Sequence, residues 1–201
     1  MRITGGPSRG RKIRRPGKAG NRDLRPPLVR MRKSIFSQLE ATVPQSRILD
    51  LFAGTGSFGL EALSQGAREA VFVERDRSTA EVLEQNIRNL GFRHQSRVVV
   101  GDALSEWTLE SLEDLPPFDV VFMDPPFRLF KTESEITRLK ERLEAILHGP
   151  LLNVEGILVL RLPKRLDEIL CTSAAKTRVY GRSAVAFFDK TNDRKAGQNE
   201  E

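Results

Sequence analysis

The sequence is poor in the residues that build disulfides and metal sites. Its 201 residues include one cysteine, Cys171, and two histidines, His94 and His148. A single cysteine excludes an internal disulfide framework, and so few Cys and His ligands argue against a zinc site. Aromatic residues make up only 6% of the chain, but hydrophobic residues reach 39% and charged residues 30%. This balance is typical of one globular domain with its own core.

Long hydrophobic runs are also missing. No stretch approaches the roughly 18 consecutive apolar residues that a transmembrane helix needs. Glycine, proline and arginine interrupt every apolar run in residues 1–25, so the sequence indicates neither a signal peptide nor an organelle transit peptide. We therefore expect a cytoplasmic protein.

The net charge of +6 is divided unevenly along the chain. Residues 1–33 contain 12 basic residues and one acidic residue, Asp23, whereas the rest of the chain has a net charge of −5. Such a basic segment is either a solvated tail or an arm that contacts phosphates through salt-dependent interactions. We favour the second interpretation and treat residues 1–27 as a basic arm that binds a polyanion.

The rest of the chain alternates between amphipathic helices and short apolar runs. An amphipathic helix is predicted from Leu28 to Leu39, with Arg30 and Lys33 on its polar face. Further helices are predicted at residues 60–65, 78–90 and 133–147, and buried strands at residues 48–52, 70–73, 98–100, 120–123 and 156–160. Strands that are apolar on both faces and alternate with helices indicate a mainly parallel sheet that is covered on both sides.

The C-terminal part shows a different pattern. Two short strands around Gly181 predict a terminal hairpin, which would add an antiparallel strand to the sheet. The predicted fold is thus an α/β sandwich with a Rossmann-like core over residues 28–188. Residues 189–201 are polar and are predicted to be a disordered tail.

A glycine-rich loop follows the first predicted strand. Gly54, Gly56 and Gly59 have the G-x-G-x-x-G spacing of a nucleotide-binding turn, and Glu74 lies where a ribose-binding acid is expected. Asp50 precedes this loop, and a carboxylate there would repel a phosphate but suit a ligand with an ammonium group. The loop therefore favours S-adenosylmethionine, which is cationic, over a dinucleotide.

Other predicted cofactor contacts follow the first and third strands. Asp102 follows the third strand, where its carboxylate could accept hydrogen bonds from an adenine amino group. The carboxyl ends of parallel strands meet at one edge of the sheet, so Asp102 is expected near the glycine-rich loop. The neighbouring residues that we also expect to contact the cofactor are Phe52, Ala53 and Ala103.

The most specific motif follows the fourth predicted strand and consists of Asp124, Pro125, Pro126 and Phe127. The carboxylate and the Pro125 carbonyl could accept the two hydrogens of an exocyclic amine, while the phenyl ring stacks on the base. The amine lone pair would then point towards an electrophilic methyl group, with positioning as the main source of catalysis. We predict that these four residues are catalytic, and that Trp107 and Phe118 are packing residues.

These motifs resemble those of class I S-adenosylmethionine-dependent methyltransferases that modify exocyclic amines, which carry D/N-P-P-F/Y. More narrowly, nearly the whole chain resembles the RsmD family of bacterial 16S ribosomal RNA guanine-N2 methyltransferases. The similar segments are residues 2–6, 9–12, 24–36, 50–56, 124–127 and 180–181. Three departures are also present, because residues 27–29 replace the family's T-x-D, Lys33 replaces a Glu, and Arg161 stands where an acid often follows the fifth strand.

The resemblance implies methylation of one guanine, conventionally numbered 966, in the small ribosomal subunit or its assembly intermediate. It assigns S-adenosylmethionine to Asp50, Gly54, Gly56, Glu74 and Asp102. The residues expected to contact RNA are Arg9, Arg11, Lys12, Arg25, Arg30 and Arg32. We expect the enzyme to be a monomer without a metal ion.

Three alternatives remain open from the sequence. The first is an amino-methyltransferase that acts on another RNA or on DNA adenine or cytosine, although the chain has little room for a target-recognition segment. The second is a nucleic-acid-binding protein that has lost its activity, and the intact motifs argue against it. The third is a dinucleotide-dependent oxidoreductase, for which no hydride-handling acid or base is evident.

Overall fold

A computed structural model of the chain describes residues 1–16, 29–166 and 174–190. Within these ranges the helices are α1 (Val29–Gln38), α2 (Gly59–Ser64), α3 (Arg77–Leu90), α4 (Glu106–Glu113) and α5 (Glu133–His148). The strands are β1 (Arg47–Leu51), β2 (Glu69–Glu74), β3 (Ser96–Val100), β4 (Phe118–Met123), β5 (Leu152–Pro163), β6 (Lys176–Tyr180) and β7 (Ser183–Asp189). Short 3-10 turns cover Arg93–Gln95, Phe127–Phe130 and Lys164–Leu166. No helix in the described ranges has both the length and the apolar composition to span a bilayer.

The strands form one sheet in the order β3-β2-β1-β4-β5-β7-β6. The first five pair in parallel, whereas β7 runs antiparallel to both β5 and β6. The α/β sandwich with a mostly parallel sheet and an antiparallel C-terminal strand is therefore confirmed. Gly181 makes the tight turn between β6 and β7 with a φ of 63°, a conformation that glycine adopts without strain.

Apolar layers cover both faces of the sheet, because successive residues of each strand point to opposite sides. In β1, Ile48 packs on the side of α1, α2 and α3, while Leu49 packs on the side of α4 and α5. Every residue of β1 is buried, which explains its continuous apolar sequence.

Helix boundaries mostly follow the sequence signals. The side chain of Asp76 caps α3 by accepting the N–H of Thr79 at 2.8 Å, and Gly91 ends the helix in a left-handed conformation. The short helix α4 was not among the predicted elements. Its Trp107 is 67% exposed, which contradicts the prediction that it is a packing residue, whereas Phe118 is fully buried, as a packing residue should be.

The first sixteen residues pack against the domain instead of extending from it. Arg2 and Lys12 form an antiparallel bridge, and Ile3 and Ile13 are buried in the same apolar layer as α1. This corrects the division at residue 27, because two isolated isoleucines in a basic segment supply apolar anchors. Residues 17–28, which include the rest of the predicted arm, lie outside the described ranges.

The C-terminal boundary also shifts by a short distance. Asp189 ends β7, and the buried Lys190 donates hydrogen bonds to the carbonyls of Gly149 and Leu152 at 2.7 and 2.8 Å. The folded part therefore extends past residue 188. The other residues of the predicted tail, 191–201, lie outside the described ranges.

Candidate active site

A cavity of about 550 Å³ opens at the carboxyl ends of the parallel strands. It lies beside β1 and β4, which are neighbours in the sheet and lead to helices on opposite faces. Open α/β sheets bind ligands at such a switch point. The predicted site residues that line the cavity are Phe52, Ala53, Gly54, Glu74, Asp102, Ala103, Asp124, Pro125, Pro126 and Phe127.

Two residues predicted to bind the cofactor lie behind the cavity wall. Asp50 is 1% exposed, and its Oδ2 accepts the N–H of Gly59 at the start of α2 at 2.8 Å. Gly56 has a φ of 86°, and a Cβ atom there would lie 2.6 Å from a methyl carbon of Leu83. Neither residue is part of the cavity lining, and both hold the glycine-rich loop in shape.

The buried position of Asp50 makes its charge costly. Burial raises the pKa of this carboxyl well above its usual range, and the hydrogen bond from Gly59 acts in the opposite direction. The nearby Asp124 and Glu74 raise the pKa of Asp50 further. The carboxyl group of Asp50, behind the wall, is thus close enough to those of Glu74 and Asp124 for the three to influence each other electrostatically.

Glu74 connects the glycine-rich loop to the end of β2. Its Oε2 accepts the N–H of Gly54 and its Oε1 accepts the N–H of Asp76, both at 2.8 Å. Burial raises the pKa of Glu74, while these two hydrogen bonds act in the opposite direction. A carboxylate oxygen accepts more than one hydrogen bond, so Glu74 retains acceptor capacity towards the cavity that it lines.

Asp102 approaches the cavity from the neighbouring strand. It follows β3, where its Oδ1 accepts the N–H of Leu104 at 3.0 Å. The N–H of Gly101 bonds to the carbonyl of Glu74 at 3.1 Å, which fixes the end of β3 against the end of β2. The structure therefore brings Glu74 and Asp102 to adjacent positions on the cavity wall.

Asp124 to Phe127 form the opposite part of the wall. Asp124 directly follows β4, and the two prolines lead into the 3-10 turn that begins at Phe127. The ring of Phe127 is held edge-on by Phe130, with the ring centroids 6.1 Å apart. This geometry places a carboxylate and a flat aromatic face side by side in the cavity.

Arg161 joins this group from β5. Its Nη1 donates to Oδ2 of Asp124 at 2.9 Å, and its guanidinium carbon lies 5.0 Å from the centroid of the Phe127 ring. Burial raises the pKa of Asp124, while the guanidinium of Arg161 lowers it. Arg161 is one of the three departures from the resembling family, but its contact with the motif could not be inferred from the sequence.

The cavity lining also contains cationic residues that were not predicted from the sequence. We use the term basic rim for the exposed cationic residues of the cavity lining, namely Arg15, Arg75, Lys131 and Arg138. Arg128 also lines the cavity, but Nε and Nη2 of its guanidinium are buried. Arg128 and Lys131 belong to the segment directly after the Asp124 motif, and Arg138 follows on α5. Their proximity to the motif in the sequence could have identified these three residues as candidate site residues.

The residues predicted to bind RNA lie in different environments. Arg9, Lys12 and Arg30 are exposed, as RNA contacts require. Arg11 is exposed too, but its guanidinium donates to the last carbonyls of α3, including that of Leu90 at 3.1 Å. Arg25, a further predicted contact, lies outside the described ranges.

Arg32 is completely buried, so the prediction that it contacts RNA is wrong. Its Nη2 donates to the carbonyl of Arg2 at 2.5 Å and lies 4.0 Å from the carboxylate of Glu61, which is also fully buried. The same carboxylate accepts the N–H groups of Thr4 and Gly5, at 2.9 and 2.7 Å for the closer pairs. Glu61 therefore anchors the N-terminal segment and Arg32 to α2.

Asn86 links the N-terminal segment to the glycine-rich loop. Its Oδ1 accepts the N–H of Arg14 at 2.8 Å, and its Nδ2 donates to the carbonyls of Arg14 and Thr55 at 3.1 and 3.2 Å. These bonds bring the following residue, Arg15, to the edge of the cavity. The N-terminal segment therefore contributes directly to the site.

Comparisons with known proteins agree with this geometry. A family model described as Conserved hypothetical protein 95 matches residues 1–189. The ribosomal RNA small subunit methyltransferase D of Haemophilus influenzae is 37% identical over 141 residues, which are 70% of this chain and 71% of that protein. A solved structure of a hypothetical protein from Thermus thermophilus is 34% identical with a TM-score of 0.76, and the match covers 94% of this chain and 99% of that one.

A more distant structure extends the likeness in fold. It is an RNA methyltransferase from Salinibacter ruber, solved in complex with S-adenosyl-L-homocysteine. This protein is 14% identical, with a TM-score of 0.60 over 82% of this chain and 93% of that one. At such low identity the likeness concerns the fold alone.

Proposed function

The chain belongs to the RsmD family of ribosomal RNA methyltransferases, and from this premise we propose that it methylates the exocyclic N2 amine of a guanine in 16S ribosomal RNA. The guanine expected from the family resemblance is number 966. One observation carries the proposal: Asp124 and Phe127 lie side by side in a cavity whose other wall has the features of a cofactor site.

S-adenosylmethionine is the cofactor, and it supplies an electrophilic methyl group when it is bound. The cavity of about 550 Å³ lies within the size range of small-molecule sites. Glu74 and Asp102 present carboxylates from adjacent strands, which suits ribose hydroxyls and an adenine amine. Gly54, with a φ of 56°, lets the loop backbone approach a ligand closely. These residues therefore fit the cofactor, and Asp50 acts on it indirectly through the loop.

The base would lie against Phe127, where stacking contributes about 1–3 kcal/mol. Asp124 and the carbonyl of Pro125 would then accept the two hydrogens of the exocyclic amine. With both hydrogens held, the nitrogen lone pair points away from these acceptors. No strong base is needed before methyl transfer, because the neutral amine attacks with its lone pair, whose direction Asp124 fixes as a hydrogen-bond acceptor. The methylated nitrogen, which is then positively charged, releases one proton and becomes a neutral methylamine.

The RNA backbone would lie across basic residues outside the base subsite. The exposed Arg9, Lys12 and Arg30 remain the proposed phosphate contacts from the N-terminal part. The basic rim adds cations at the mouth of the cavity itself. We further propose that the enzyme acts in the cytoplasm as a monomer, on the small ribosomal subunit or its assembly intermediate.

A base analogue tests the proposed target atom. Inosine lacks the exocyclic amine of guanine but keeps the rest of the Watson–Crick edge. We expect labelled S-adenosylmethionine to methylate a 16S RNA fragment with guanine at the target position, and we expect no methylation when inosine replaces it. Methylation of the inosine fragment at that position would show attack on another atom and refute N2 as the target. Transfer of the labelled methyl group to DNA but not to RNA would favour the alternative of a DNA amino-methyltransferase.

A further inference from the structure

Arg161 makes the same two contacts that the proposed function gives to the target base. It donates to Oδ2 of Asp124 at 2.9 Å and lies over Phe127 at 5.0 Å from the ring centroid. The side chain of Arg161 is 9% exposed, so it is largely shielded from solvent at this position. A side chain of the protein itself therefore makes both contacts that are proposed for the base.

The chemistry of the two groups is closely matched. A guanidinium is a planar group with N–H donors arranged along its edge, and it stacks on aromatic rings. The N1–C2–N2 edge of guanine contains the same arrangement of a carbon between nitrogen donors, within a larger planar ring. Either group can pair with the carboxylate of Asp124 and stack on Phe127, so the guanidinium and the base would compete for these contacts.

The strand register explains why Arg161 is held at this position. Leu160 of β5 pairs with Met123 of β4, so the next residues along the two parallel strands, Arg161 and Asp124, lie side by side. On its other side Arg161 pairs with Val185 of β7. The backbone of Arg161 is thus fixed within the sheet, and rotation of its side chain would be sufficient to open the subsite.

We propose that Arg161 occupies the target-base subsite of the free enzyme and is exchanged for the guanine when RNA binds. This inference rests on the proposed function. In the free enzyme Arg161 keeps the buried carboxylate of Asp124 paired, because an unpaired charge at that depth would be costly. Entry of the base must compete with Arg161, so the affinity for RNA is lower than the base contacts alone would give.

Binding measurements on Arg161→Gln test the exchange separately from methyl transfer. The probe is a single-stranded RNA oligonucleotide with one central guanine, and its affinity is measured by calorimetry in the presence of S-adenosylhomocysteine. Glutamine cannot cover Phe127 as the guanidinium does and carries no charge. We expect the variant to bind the oligonucleotide at least about threefold more tightly than the wild type, because the competing group is gone.

Two controls separate exchange from a general change in charge or stability. The first is Arg97→Gln, which removes an exposed charge near the start of β3 and should bind as the wild type does. The second is the same oligonucleotide with an abasic nucleotide in place of guanine, for which the wild type and Arg161→Gln should bind equally. If Arg161→Gln does not fold, Arg161→Lys replaces it in the test. Lysine keeps the positive charge but lacks the planar guanidinium, so this variant should also bind the guanine oligonucleotide more tightly than the wild type.

Two results would overturn the exchange. Equal or weaker binding of the guanine oligonucleotide by Arg161→Gln would mean that Arg161 does not compete with the base. Tighter binding of the abasic oligonucleotide to the same extent would show that the gain does not depend on guanine. If the guanine-dependent gain is present but neither protein methylates ribosomal RNA, the exchange stands and the proposed reaction fails.

Discussion

Replacing Asp124 with alanine removes the proposed acceptor for the amine without touching the cofactor wall of the cavity. The side chain of Asp124 is 15% exposed and that of its partner Arg161 is 9% exposed, so both groups are largely shielded from water. Loss of a preorganised hydrogen-bonding group in such a site typically lowers kcat by about 10²–10³. We expect a decrease of that size for Asp124→Ala.

Asparagine gives a graded version of the same change. Asp124→Asn keeps one acceptor oxygen of similar position but loses the charge. The difference between charged and neutral hydrogen bonds is about 1 kcal/mol, so we expect a loss of roughly fivefold in kcat. Alanine also leaves the largely buried Arg161 without its carboxylate, which we expect to lower the free energy of unfolding by about 1–3 kcal/mol.

Turnover is measured as transfer of a labelled methyl group to 16S ribosomal RNA, and cofactor affinity is measured by calorimetry. The cofactor Kd should stay within about twofold of the wild type, since a change limited to the base subsite removes no cofactor contact. Asp114→Ala, at the exposed C-terminal end of α4, is the matched control and should retain full turnover. A folded Asp124→Ala protein with turnover within about tenfold of the wild type would refute the assigned role.

Three further predictions concern the N-terminal segment, the buried acid and the RNA contacts. Glu61→Gln should lower the free energy of unfolding by about 2–4 kcal/mol in denaturant titrations, because its carboxylate is fully buried among several donors. The control Glu84→Gln, at an exposed position, should change this free energy little. Equal effects of the two substitutions would contradict the anchoring role of Glu61. The raised pKa of Asp50 means that the wild type loses stability as pH rises through that pKa. Asp50→Asn should therefore have the higher Tm at about pH 8, with a difference that fades below about pH 4, whereas a pH-independent difference would contradict this assignment. Changing Arg9 and Lys12 together to alanine should reduce the salt dependence of RNA binding by about 1.5 in the log–log slope, and an unchanged slope would exclude these two residues as phosphate contacts.

The sequence was sufficient to predict a mainly parallel sheet with an antiparallel C-terminal strand, and motifs at the carboxyl ends of its parallel strands. Continuous apolar runs such as β1 identify buried parallel strands. Gly91 and Gly181 adopt positive φ angles, which end α3 and form the turn between β6 and β7. Because parallel strands present their carboxyl ends at one edge, the residues that follow them, including Glu74 and Asp124, converge at one cavity without any knowledge of side-chain contacts.

Residues whose environment depends on distant partners were harder to predict. Arg32 lies in a basic segment, so the composition predicts that its side chain is exposed. In the structure it is fully buried beside the equally buried Glu61 of α2. Ile3 and Ile13 are single apolar residues among glycines and arginines, so no periodicity marks them as core residues. Trp107 is apolar but faces solvent on a helix that is too short for its buried face to be predicted from the sequence.

The position of Arg161 belongs to the same class of long-range effects. Its sequence context shows only a basic residue at the end of an apolar strand. The pairing of β5 with β4 brings it beside Asp124, and that register is a property of the folded sheet. The contact between Arg161 and Asp124 therefore becomes visible only in the structure.

The most direct test of the proposed function is the modification pattern of 16S ribosomal RNA in cells that lack this protein. Mass spectrometry of the RNA from a deletion strain should show the loss of a single N2-methylguanine. Expression of the wild-type protein should restore this methylguanine, and expression of Asp124→Ala should not. An unchanged N2-methylguanine content, or the loss of a different modification in its place, would contradict the proposed reaction.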